Sequence, residues 1–145
     1  MDNAIAPFGI FKTKDNSIAL AIGNETQWQI FVQFLLSKGS KLDLDLYKTN
    51  SDRIKNLNKL KNDIENIFTK YSAKELVCIL EEFGTPCGIV NTMIDVLNDQ
   101  ENYNEGLLEK VEHPLTKDIV VSTGGIFFSG NKRVDYRIAP NFNKK

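Results

Sequence analysis

An α/β chain of the α+β kind, a β-hairpin followed by three to four helices and short C-terminal strands, is what this sequence predicts. Three observations carry that expectation. Two apolar runs flank a polar turn over residues 8–23, apolar residues recur at helical spacing in three later stretches, and short β-rich runs close the chain. At 145 residues, with 41% hydrophobic and 26% charged residues, the chain has ordinary globular composition and is long enough for one domain burying about 70% of its unfolded surface.

The hairpin is FGIFKTKDNSIALAIG. Phe8 to Phe11 and Ile18 to Ile22 are the strands, Lys14-Asp15-Asn16-Ser17 the turn, with Phe11 opposite Ile18 and Ile18, Leu20 and Ile22 on one face. Asn24 then reads as a helix N-cap with Gln27 three residues on. Trp28, Phe31, Val32, Leu35 and Leu36 follow at helical spacing, so a helix spans 25–37 and Lys38-Gly39-Ser40 closes it. KLDLDLYKTN reads either as a strand or as an irregular connector. Asn50 or Ser51 opens the longest predicted helix, whose apolar stripe is Ile54, Leu57, Leu60, Ile64, Ile67 and Phe68. Arg53, Lys55, Lys59 and Lys61 lie on its other, solvated face.

Ser72-Ala73-Lys74-Glu75 is a capping box, and Leu76, Ile79, Leu80 and Phe83 form the buried stripe of the helix it starts. Gly84 ends that helix and Cys78 falls opposite its stripe. FGTPCGIVNT, residues 83–92, then reads as a structured crossing loop. In it Gly88 lets the backbone pass close to a neighbour, Cys87 is a small buried filler, and Thr92 caps a short helix running to Leu97. Residues 99–112 read as a solvated acidic connection with a short helix, and His113-Pro114 as a turn. Asp118–Ser122 and Gly125–Phe128 read as strands, and the tail from Gly130 onward has no periodicity.

The function classes excluded at this level are many. A net charge of −1 gives no general pull toward nucleic acid or anionic membrane, and no apolar run reaches the ~18 residues of a membrane span. Two cysteines are too few for a disulfide scaffold or a zinc site, and a cytoplasmic location is the expectation. The phosphate-loop, dinucleotide and metal-ligand spacings are all absent, so no catalytic set is visible.

Four stretches together resemble the class III CoA-transferases, the family of carnitine CoA-transferase and formyl-CoA:oxalate CoA-transferase. APFGIFKTKDNSIALAIGNETQW is similar to that family's Pro–aromatic–Gly, "TKDG", strand and "GN(D/E)xQW" succession. TNSDRIKNLNKL resembles "TNxxRVxNxxxL", and ELVCILEEFGTPCGIVNTMIDVLND resembles "LxxAGVPCGPVNTxxEVxxD". VEHPLTKDIVVSTGGIFFSG is similar to the stretch ending in "FSG". The chain departs in carrying Thr123-Gly124-Gly125 where many members have a proline pair, and in ending on Ala139-Pro140-Asn141-Phe142-Asn143 instead of "APxLGxH".

The resemblance implies a small domain joined in relatives to a large Rossmann-like domain, two such chains interlocking. On that basis residues 1–24 are the linker and hairpin entering the small domain, 25–130 the small domain and 131–145 an extended tail, with the large domain absent. It implies a truncated or split chain with no catalytic residue of its own, because the family's catalytic aspartate lies in the large domain; Asp15, Asp43 and Asp118 do not take its role. No cofactor is expected in this chain, coenzyme A thioesters being substrates of intact relatives. The expected partners are a second copy or a separate large-domain half, with no nucleic acid and no membrane. The substrate or cleft candidates are Asn24, Glu25, Gln27, Trp28, Pro86, Cys87 and Gly88. A related branch, the α-methylacyl-CoA racemases, would make Glu25 the acid/base to test; its other reading is a first-turn carboxylate serving the helix dipole. The remaining alternative is a non-catalytic interaction module whose helices expose apolar surface for self-association or for an upstream-encoded half.

Overall fold

The computed structural model describes residues 4–113 and 117–126. The chain divides after Val90 into two compact units, and among the described residues there are six α-helices and two small antiparallel sheets. The mixed class predicted from the sequence is the one observed.

In the first unit, β1 (Phe8–Lys12) and β2 (Ser17–Ala21) form the predicted hairpin, with Phe11 opposite Ile18. The strand period of two puts Ile18 and Leu20 on the inner face, where both are buried, as is Ile22 just beyond the strand. The turn is tied down from three sides. Asp15 Oδ1 accepts from the Ala73 amide at 2.8 Å, the Lys14 amide donates to the Tyr71 carbonyl at 2.9 Å, and Asn16 Nδ2 donates to the Val90 carbonyl at 3.3 Å. The TKDN stretch is therefore a joint between the hairpin and the chain around the start of the fourth helix.

Helix α1 (Glu25–Ser37) is capped as predicted, Asn24 Oδ1 accepting from the Gln27 amide at 2.9 Å. Gly39, at φ +78°, closes it in a Schellman turn: its amide and that of Ser40 reach the Leu36 and Leu35 carbonyls. KLDLDLYKTN is no strand. It contains a 3-10 turn, Leu44–Tyr47, capped by Asp43. The long helix expected from residue 50 is two helices, α2 (Asn50–Lys55) and α3 (Leu57–Phe68), with Thr49 rather than Asn50 or Ser51 as the N-cap. Asn56 makes the break: its side-chain amide donates to the Leu46 and Asp52 carbonyls, which drives the backbone out of helical geometry. Apolar periodicity could not report this, because the stripe continues across it.

Helix α4 (Ala73–Glu82) starts at the predicted capping box. Gly84, at φ +68°, ends it in a second Schellman turn, with the Gly84 and Thr85 amides donating to the Glu81 and Leu80 carbonyls. The expected crossing loop contains a short strand: β3 (Cys87–Ile89) joins the edge of the sheet, giving the order β1-β2-β3. Three residues with a glycine at their centre are too short for a strand period to register. One core, drawn from α1, α3, α4 and the inner sheet face, fills this unit, and Phe68 touches Phe11, Phe31 and Phe34 at ring-centroid distances of 6.0, 6.1 and 6.4 Å.

The second unit holds α5 (Met93–Asn98), capped by Thr92 as predicted and with Asp95 completing a capping box, α6 (Gln100–Asn104), and the antiparallel pair β4 (Leu108–His113) and β5 (Lys117–Ser122). The acidic connection therefore ends in a strand, and His113 is its last residue rather than part of a turn. Gly125–Ile126 are not in a strand; the rest of that predicted strand and the tail lie outside the described residues.

Two predictions arise from these contacts. Thr85 is buried, and its hydroxyl oxygen has no hydrogen-bond partner among the described residues. An isosteric apolar side chain removes that desolvation cost, so Thr85→Val is expected to stabilise the protein by about 1 kcal/mol in urea denaturation. The second concerns Asp15. The Ala73 amide holds its carboxyl below the usual 3.8. A lowered folded-state pKa contributes stability that is present above the unfolded value and is lost as pH falls through the folded one. Asp15→Asn, which keeps the acceptor and loses the charge, should melt below the wild type at about pH 7, and the gap should close only as pH falls below 3.8 and through the lowered folded-state value. Parallel melting curves across that range would contradict it.

Candidate functional site

The seven sequence candidates fall into two groups on the first unit, and most have structural tasks. Asn24 and Gln27 cap α1 reciprocally, the Gln27 Oε1 accepting from the Gly23 amide at 2.7 Å. Trp28 is core, 2% exposed. Glu25 grips the Arg53 guanidinium in a two-pronged ion pair, Oε1 to Nη2 at 2.5 Å and Oε2 to Nη1 at 3.2 Å. Its hydrogen bonds from Arg53 hold its carboxyl below the usual glutamate range. A carboxylate so engaged is ionised at neutral pH and is poorly placed to act as an acid.

Arg53 is the residue that sequence reasoning misplaced. Expected on the solvated face of its helix, it is 2% exposed. Its planar group lies over Trp28, 4.7 Å from Cζ to the ring centroid, and it also donates to the carbonyls of Ala6, at 2.8 Å, and Tyr47, at 3.4 Å. The break at Asn56 makes α2 a separate helix, so the stripe of α3 does not predict its buried side. The lone arginine among lysines in this stretch was the available signal, since buried, stacked and two-pronged pairing favours arginine. Beside it, Tyr47 donates to Asp63 at 2.8 Å, and burial together with that carboxylate pushes the phenol up to about 12.

Pro86, just before β3, and Cys87 and Gly88 on it line an open, apolar groove of about 400 Å³ on the outer face of the sheet. Phe8, Gly9 and Ile10 of β1 and Ala19, Leu20 and Ala21 of β2 complete it. Strand alternation explains its character. Ala21 pairs with Phe8, and Ala19 pairs with both Ile10 and Gly88, so large side chains from β1 flank a floor of small ones. Phe8 and Ile10 are about half exposed, 48% and 53%. A Cβ added at Gly88 would meet nothing within 4 Å among the described residues, so the glycine leaves the groove open and does not serve the close packing of a neighbour over it. Cys87 is half-buried against the core, and burial, with the Glu81 charge, pushes its thiol up, which keeps it neutral and a weak nucleophile.

Such a groove offers apolar contact and no charge. Among the described residues no group of three or more His, Cys, Asp or Glu side chains is placed to hold a metal ion, and no helix is long and apolar enough to cross a membrane.

The sequence model of CoA-transferase family III matches residues 1–145. The chain is 26% identical over 137 residues to the mouse succinyl-CoA:glutarate CoA-transferase and 28% identical to the human protein of that name; each match covers 94% of this chain and 31% of the relative. The chain thus spans about a third of the length of these curated relatives. Among solved structures it is similar to Rv3272 of Mycobacterium tuberculosis, with a TM-score of 0.73, 19% identity and coverage of 92% of this chain and 37% of that one. It is also similar to a CaiB/BaiF family protein of Brucella suis, with a TM-score of 0.66 and 24% identity over 87% of this chain and 32% of that one. At these identities the structural likenesses speak to the fold.

Proposed function

The chain belongs to CoA-transferase family III, and from that premise we propose that it is the small-domain part of a class III acyl-CoA:carboxylate CoA-transferase-like protein that is inactive by itself. In this reading a large-domain part supplies the aspartate through which CoA passes from an acyl-CoA thioester to a carboxylate acceptor, a form of nucleophilic catalysis. The thioester is the substrate, this chain holds no cofactor, and the setting is cytoplasmic. The partner is the large-domain part, with self-association as the other arrangement.

The observation that carries the reading is how the carboxylates near the family motifs are occupied. Asp15 holds the Ala73 amide, Glu25 holds Arg53, and Asp52, Glu75 and Asp95 close capping boxes. None of them lines the apolar groove. The span of about a third of the curated relatives agrees with it.

The racemase reading would draft Glu25 as acid/base, and the Arg53 ion pair speaks against that role. The names of the mouse and human relatives make succinyl-CoA and glutarate the first donor and acceptor to assay. Purified chain is expected to form no glutaryl-CoA above the uncatalysed background. Turnover that survives repurification and is lost in Glu25→Gln would overturn the proposal.

A further inference from the structure

The two polar side chains of α2 that face the N-terminal segment do not touch the groove, yet they hold the stretch that leads into it. Asn50 Oδ1 accepts from the Ala6 amide at 2.9 Å, and Asn50 Nδ2 donates to the Ala4 carbonyl at 2.9 Å. Arg53 Nε donates to the Ala6 carbonyl at 2.8 Å. All three bonds go to backbone groups, so they read the path of residues 4–6 and not its side chains. Ala6 itself is 1% exposed, and a peptide buried this deeply must have its N–H and C=O paired. The next residue continues the restraint, since the Pro7 carbonyl accepts from the Ile22 amide at 3.2 Å. Phe8 follows directly and forms one wall of the groove.

We propose that Asn50 and Arg53 form a backbone-reading clamp that fixes the course of residues 4–7 and thereby seats Phe8 in the groove wall. They are positioning residues, and Glu25 holds Arg53 in place from the start of α1. The inference rests on the groove and not on the CoA-transfer reading, so either can fail without the other. It also gives tasks to four residues of the TNSDR stretch: Thr49 caps the helix, Asn50 and Arg53 clamp, and Asp52 completes the cap.

The test is amide hydrogen exchange by NMR on the full chain, with Asn50→Ala and Asn50→Asp. Asn50→Ala removes acceptor and donor, and the Ala6 amide is expected to exchange about tenfold faster or more, the effect of losing one well-formed buried hydrogen bond. The Ile22 amide should accelerate with it and the Phe8 ring resonances should shift. The Leu76 amide, bonded within the distant α4 at 3.0 Å, should change by less than about twofold. Asn50→Asp keeps the acceptor for Ala6, so it should restore Ala6 protection to within about threefold of wild type and return the Phe8 resonances. The clamp is overturned if Ala6 protection and Phe8 are unmoved in Asn50→Ala. It is equally overturned if Ala6 and Leu76 accelerate together, which would mark general destabilisation, or if Asn50→Asp fails to rescue.

Discussion

Phe68→Ala is expected to cost about 3–5 kcal/mol, among the largest losses from a single truncation in the first unit. Phe68 is fully buried, and its ring meets Phe11 from the hairpin and Phe31 and Phe34 from α1. Three elements of different sequence origin therefore meet on one side chain. Truncation forfeits the transfer free energy of the ring and leaves a void that three rigid aromatic neighbours fill poorly. For a unit of this size the loss corresponds to a fall in melting temperature of about 12 °C or more. Leu36→Ala in α1, at a position 45% exposed, is the control and should cost well under half as much. Equal losses for the two variants in urea denaturation would show that the aromatic junction is not the core's centre.

Removing the guanidinium of Arg53 is the second large effect. Arg53→Met keeps an apolar stem over Trp28 but deletes every donor, leaving the Ala6 and Tyr47 carbonyls to find new partners in a buried setting. We expect a loss of about 2–4 kcal/mol. Arg53→Lys retains the charge but cannot reproduce the planar fork that bonds Glu25, Ala6 and Tyr47 together, and should lose about half that. Had the residue stood on a solvated helix face, as its sequence position suggests, both substitutions would fall within about 0.5 kcal/mol of wild type. Chemical denaturation of the two variants separates these outcomes.

What the sequence shows and what it hides follow one rule. Signals that act within a turn or two of chain were legible. The Asn24 cap, the capping boxes at Ser72 and Thr92, the glycines at 39 and 84 and the Phe11–Ile18 register all stand where local chemistry puts them. Signals that depend on a distant partner were not. The break at Asn56 needs the Leu46 carbonyl, the strand at Cys87–Ile89 needs β2 beside it, and the burial of Arg53 needs Trp28, Glu25 and Ala6. The same holds for the candidate site. Asn24 and Gln27 were recognisable as caps, whereas the groove at Pro86–Gly88 exists only because β1 and β2 set large and small side chains in register with β3.

By itself, then, the sequence determined the mixed fold class, the hairpin, most helix starts and the likeness to CoA-transferase family III. These depend on hydrogen bonds and apolar periods spanning a few residues, and on motif order along the chain. Tertiary structure alone decided what the motif residues do. Asp15, Glu25, Asn50 and Arg53 are ion pairs, caps and clamps to partners 28 to 58 positions away. A polar side chain's role is set by which buried donor or acceptor lies opposite it, and that is known only once the chain has closed on itself.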